Sequence, residues 1–124
     1  RHKMLGYYQK MDIRDYLLIL DAVKVYNLPE TDQYKLMRLP FDVSNPELLD
    51  CFIDFVEEFF MNRSHEISKP KCSAQTLTGL EIYYQKLNLY YSFSKSFRLD
   101  FDEQWVYKER ETASDKINTL LLNL

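Results

Sequence analysis

Imidazoles and thiols are the side chains best suited to act as bases, nucleophiles or metal ligands near neutral pH. The 124 residues hold two of each, His2, His65, Cys51 and Cys72. Neither His stands at zinc-ligand spacing from a Cys, Asp or Glu group, and the two cysteines are isolated from each other. A nucleophile–His–acid triad would have to use His65 in a polar loop or His2 at the start of the chain. Both are poor places to hold a base within hydrogen-bond reach. Asp50, Asp54, Glu57 and Glu58 resemble a paired-carboxylate site, but at these spacings they read as the solvated face of an amphipathic helix. No Gly-x-Ser-x-Gly, phosphate loop or dinucleotide fingerprint occurs. The expectation is a non-enzymatic chain with no metal and no cofactor.

Two groups of residues suit binding instead. Arg63, His65, Lys69 and Lys71 form a locally basic loop that could touch phosphates. The ten tyrosines include several on one long helical pattern, where they could stack on bases. A formal net charge of −3 argues against global attraction to nucleic acid or to anionic lipid. The loop therefore reads as a solvated connector and the tyrosines as core residues with wet hydroxyls. Asn62-Arg63-Ser64 matches a glycosylation acceptor, a frequent chance match. Reduced thiols in an intracellular protein are favoured over a disulfide.

These residues must be positioned by helices. Asp12 opens a pattern in which Ile13, Tyr16, Leu17 and Leu20 form the inward stripe. Asn27 to Asp32 reads as a turn around Pro29, and Tyr34 to Pro40 as an extended connector or short strand. Ser44 and Glu47 fit a capping box with Pro46 in the first turn. The helix that follows runs to about Met61, with Leu49, Phe52, Ile53, Val56, Phe59 and Phe60 on its buried face. From about Ala74 a central helix repeats Leu77, Leu80, Tyr84, Leu87 and Tyr91, and Gly79 within it suggests a close helix crossing. Phe97 to Phe101 alternates and leads into Trp105-Val106-Tyr107 as a strand or extended arm. Lys108 to Asp115 reads as exposed, and Ser114 as the cap of a last short helix containing Ile117, Leu120, Leu121 and Leu124. The whole is an all-α domain, residues 1–124, with three main helices, a short C-terminal helix and a small extended segment. No apolar run approaches a membrane span, and the initial Arg suggests an excerpt from a longer protein.

Several patches together resemble the MRG domain of the mortality-factor and male-specific-lethal chromatin proteins. Leu18-Ile19-Leu20-Asp21-Ala22 looks like the end of its first helix, and Lys35-Leu36-Met37-Arg38-Leu39-Pro40 like its Lys-rich turn and Leu-Pro. Glu47-Leu48-Leu49 through Phe55 looks like its second helix. Gly79-Leu80-Glu81-Ile82-Tyr83-Tyr84-Gln85-Lys86 matches a later motif, with Arg98 and Phe101 falling on its Arg and final Tyr. Ala22 replaces the family's Trp, Phe97 its Glu, and the later His-Leu-Leu-Arg-Leu segment is absent. The resemblance spans residues 12–101. It implies a nuclear, non-enzymatic adaptor in transcription regulation, bound to protein subunits of a histone-modifying or dosage-type complex, without membrane, metal or direct nucleic-acid contact. The partner groove it implies is lined by Leu18, Ile19, Ala22 and Val23 with Tyr90, Phe93 and Phe97 opposite. The alternatives are a nucleic-acid-binding domain using Arg63, Lys69, Lys71 and exposed tyrosines, or a helical self-association module.

Overall fold

A computed structural model describes residues 13–124; Asp12, expected to open the first helix, lies outside them. The fold is all-α. Of the described residues 68% are helical and none is in a strand. Helices α1 (Ile13–Lys24), α2 (Glu30–Met37) and α3 (Pro46–Val56) lead into a π-helical turn (Glu57–Met61), followed by α4 (Leu77–Ser96) and α5 (Glu103–Leu122). No helix is long and apolar enough to cross a membrane. The described residues divide into two compact units, the first ending at Arg38 and the second running from Leu39 to Leu124.

In the first unit α1 packs on α2. Ile19 and Val23, four residues apart, are wholly enclosed, while Tyr16, Leu17 and Leu18 are exposed. This overturns the expected stripe through Tyr16 and Leu17. Inside the continuous apolar run from Tyr16 to Leu20, several sets at helical spacing overlap, and periodicity alone does not choose among them. Asn27 sits at φ 50°, the left-handed region that asparagine tolerates, and lets the chain reverse. Pro29 then serves as the N-cap residue of α2, where its missing N–H costs nothing. The Gln33 amide donates back to the Leu28 carbonyl at 2.8 Å. The segment expected to be extended is therefore mostly helix. Its weak alternation comes from a short helix that buries only Leu36.

In the second unit the N-cap of α3 is Asn45, whose side chain accepts from the Glu47 and Leu48 amides at 3.0 and 3.2 Å. The expected capping box is one residue out: Asn45 holds the cap, and the Ser44 hydroxyl donates to Asp42. The buried face follows suit: Leu48, Phe52, Phe55 and Val56 are enclosed, and Leu49, Ile53, Phe59 and Phe60 are half-buried. Asn62 N donates to Glu57 O at 3.0 Å across the π turn, and Phe59 and Phe60 both pack against Phe97 at 5.2 and 5.3 Å between ring centroids. Phe55 meets Phe93 at 5.6 Å. The Lys86 ammonium, bonded to Glu47 at 2.9 Å, ties α4 to α3.

Thr76 caps α4 by accepting from the Gly79 amide at 3.1 Å. A Cβ on Gly79 would lie 2.5 Å from the Ala74 carbonyl oxygen. The close approach expected there is real, but it is made by the loop entering the helix and not by a second helix. Arg98, at φ 54°, ends α4, and Asp102 accepts from Trp105 N at 3.1 Å to start α5. The expected strand or arm is thus a helix C-terminus followed by a new cap, and the expected short last helix is the end of one twenty-residue helix. The signal was weak because α5 fully buries only Val106 and Ala113, two turns apart.

Candidate nucleic-acid interface

Helices α4 and α5 pair antiparallel. As the partner on α4 moves back from Lys95 through Tyr91 to Asn88, the partner on α5 moves on from Glu103 through Tyr107 to Arg110. Val106 and Ala113 face inward, so residues about 100° to either side of them on α5 come to the two edges of the pair.

The first edge carries Tyr91, Tyr107 and Arg110. The Arg110 guanidinium lies 5.5 Å from the centroid of each tyrosine ring, and its Nη1 donates to Asn88 Oδ1 at 2.8 Å. The two rings are 6.2 Å apart. Lys95 reaches over Tyr91 at 5.8 Å and pairs with Glu103 at 2.9 Å, and the Tyr107 hydroxyl donates to the same carboxylate at 2.9 Å. Hydrogen bonding to Tyr91 and to Glu103 pushes the Tyr107 phenol up to about 12. The Lys95 ammonium and the Tyr107 hydroxyl hold the Glu103 carboxyl below its usual range. Tyr107 is exposed and Tyr91 half-buried. Two neighbouring rings with a guanidinium across them form a π surface that an unstacked base can lie on, with cations beside it for phosphate.

The second edge is a cleft of about 350 Å³ between the loop before α4 and the middle of both helices. Trp105, Tyr83 and Glu109 form its wall, and Lys71 and Lys116 stand on its rim. Lys69 places its ammonium 4.7 Å from the Trp105 ring centroid. The Tyr83 hydroxyl donates to Glu109 Oε1; burial, then this carboxylate, raises the Tyr83 phenol well above its ordinary value.

Of the basic loop residues considered from sequence, Lys71 lines this cleft, and Lys69 reaches the Trp105 ring on its wall. Arg63 is exposed at φ 54° in the turn after the π helix, and His65 contributes its carbonyl to the Asp100 amide. Within the acidic set, Glu58 accepts from the amide and hydroxyl of Ser68, both at 2.8 Å, and so holds the loop. Partial burial, then the neighbouring carboxylates, raises Asp54. Burial pushes the Cys51 thiol up to about 12, which leaves it inert. Among the described residues no cluster could hold a metal ion. The residues expected to line a partner groove fall in both units. Leu18 is exposed, and Ala22 and Phe97 are half-buried. Ile19, Val23, Tyr90 and Phe93 are buried. Sequence reasoning missed all three of Tyr107, Glu109 and Arg110: Tyr107 ends the segment read as a strand or extended arm, and Glu109 and Arg110 lie in the charged stretch read as exposed. The i, i+3 spacing of Tyr107 and Arg110 was the available signal.

Residues 77–123 match the family model of the ATP-dependent RNA helicase SUV3 C-terminal domain. The matched stretch takes in α4 and α5 whole, and with them most of both edges. No curated protein and no solved structure gives a significant match. The match corrects the chromatin reading. The MRG resemblance rested on short patches ending at residue 101, whereas the family match runs on through the whole of α5. With it fall the adaptor role in transcription regulation, the chromatin-complex subunits as partners and the nuclear placement, all of which followed from the resemblance. The non-enzymatic reading falls too, since the matched domain is described as part of an ATP-dependent enzyme. The expectation that nucleic-acid contact is absent is likewise corrected by a match to an RNA helicase domain.

Proposed function

We propose that this chain is an accessory helical region of an RNA-helicase-type protein, and that its α4–α5 pair contacts single-stranded RNA through Tyr91, Tyr107 and Arg110. The match over residues 77–123 carries the reading, and the aromatic–guanidinium edge supplies a physical means. These 124 residues contain no phosphate loop, so in this reading they hold RNA and do not hydrolyse ATP. The net charge of −3 leaves stacking as the main source of affinity. With Lys95 and Arg110 as the cations beside the rings, the slope of log K against log salt should be shallow, about −1.4 for two phosphates on a single strand.

The test is fluorescence anisotropy with a labelled single-stranded oligonucleotide. The chain should bind it, and Tyr107→Ala should weaken binding by roughly 5- to 150-fold, the range for one lost stacked base. Absence of binding, or equal binding by the variant, refutes the reading.

A further inference from the structure

The second edge of the helix pair is an open cleft that the stacking surface does not use. Its volume, about 350 Å³, falls at the small end of the ligand-pocket range. Its chemistry is specific. Glu109 is half-buried on the wall with one oxygen fixed by the Tyr83 hydroxyl. Among the described residues nothing bonds to its other oxygen. No ion pair joins it to Lys71 or Lys116 among those residues, and Lys116 instead donates to Gln75 at 3.3 Å. An oriented carboxylate beside an indole, with two ammonium groups on the rim, is suited to a flat ligand that presents adjacent N–H donors and carries phosphate.

We propose that this cleft binds a guanine nucleotide base, with Glu109 accepting from the Watson–Crick edge, Trp105 supplying π surface and Lys71 and Lys116 facing the phosphate. Guanine is favoured because its ring N–H and exocyclic amine lie side by side and meet both oxygens of one carboxylate. Adenine and cytosine offer a single amine, and uracil places carbonyls on both sides of its one N–H. Base edges read by carboxylates and stacked on aromatic rings are a recurrent way of recognising unpaired RNA. Tyr83 is a positioning residue that aims the carboxylate. This proposal rests on the RNA reading for its biological sense, but it concerns different side chains.

Trp105 is the sole tryptophan of the chain, so its emission reports on the cleft directly. GMP should change that emission saturably, and AMP, CMP and UMP should need at least about ten-fold higher concentration. Glu109→Gln, which keeps shape and loses charge, should weaken GMP by about ten-fold or more and erase the preference. Tyr83→Phe should reduce the preference while circular dichroism stays unchanged. Should Glu109→Gln fail to fold, Glu109→Asp supplies the same comparison with a retracted carboxylate. Equal responses to all four nucleotides, no response to GMP, or full GMP affinity in a folded Glu109 variant would overturn the proposal. Tyr107→Ala separates the two readings: it should weaken oligonucleotide binding by roughly 5- to 150-fold and leave the GMP response intact. Oligonucleotide binding without a GMP response sinks the cleft alone. A GMP response without oligonucleotide binding supports the cleft and refutes the stacking edge.

Discussion

Replacing Gly79 with alanine sets two effects of opposite sign against each other. Alanine inside a helix is better than glycine by about 1 kcal/mol, so propensity alone predicts a more stable protein. The new Cβ, however, would stand 2.5 Å from the Ala74 carbonyl oxygen and 3.0 Å from both the carbonyl carbon and the Cβ of Ala74. Those are backbone atoms and a short side chain, with no flexible end to swing aside. Relief requires the loop at Ala74 to retreat. That loop is tied two residues later to the helix by the Thr76 cap on the Gly79 amide, and the Ala74 carbonyl also accepts from the Cys72 thiol at 3.0 Å. Overpacking of this kind costs about 1–3 kcal/mol, and a lost cap about 1 kcal/mol. Subtracting the propensity gain leaves a net destabilisation of about 1–3 kcal/mol, or about 4–12 °C in melting temperature for a chain of this size. Urea unfolding followed by Trp105 emission measures it, because the ring packs on the Tyr83–Leu87–Ala113 cluster of α4 and α5. If the cost acts through the cap, Thr76→Ala and Gly79→Ala together should be less than additive. A raised unfolding midpoint for Gly79→Ala would refute the reasoning and show that the loop yields freely.

Phe52 has no exposed surface and stacks on Phe41 at 5.0 Å, so Phe52→Ala should cost about 3–5 kcal/mol by urea denaturation. The Ser94 hydroxyl is wholly buried and has no hydrogen-bond partner among the described residues; Ser94→Ala should leave stability unchanged or raise it by about 1 kcal/mol, and a loss beyond that would reveal a hidden partner. The Lys86 ammonium lowers the Glu47 carboxyl, so its contribution is complete above the unperturbed glutamate value of about 4.3 and fades as pH falls through the lower folded value. Lys86→Met should flatten that part of the stability–pH curve, and an unchanged curve would show the pair to be energetically silent.

The all-α class, the helix after Pro46 and the central apolar helix were legible from local chemistry. Each combines a helical repeat several turns long with a capping or proline signal, and these act within the few residues that a helix hydrogen bond spans. Which face is buried was not legible where apolar residues run together. In α1 the choice fell on Ile19 and Val23, and in α3 on Leu48 and Phe55, because only packing selects among overlapping stripes. The length of α5 was hidden for the opposite reason: two small buried contacts seven residues apart, Val106 and Ala113, anchor a helix otherwise dressed in charge. Both edges of the α4–α5 pair lay beyond local reading except for the i, i+3 spacing of Tyr107 and Arg110 on one helix. Tyr91 meets Tyr107, Asn88 meets Arg110 and Tyr83 meets Glu109 across separations of sixteen to twenty-six residues. Residue types and helical spacing determine that each of these side chains exists on a helix. Their meeting depends on the antiparallel register of two helices, which is decided by the packing of the shared core and has no counterpart in any short stretch of sequence.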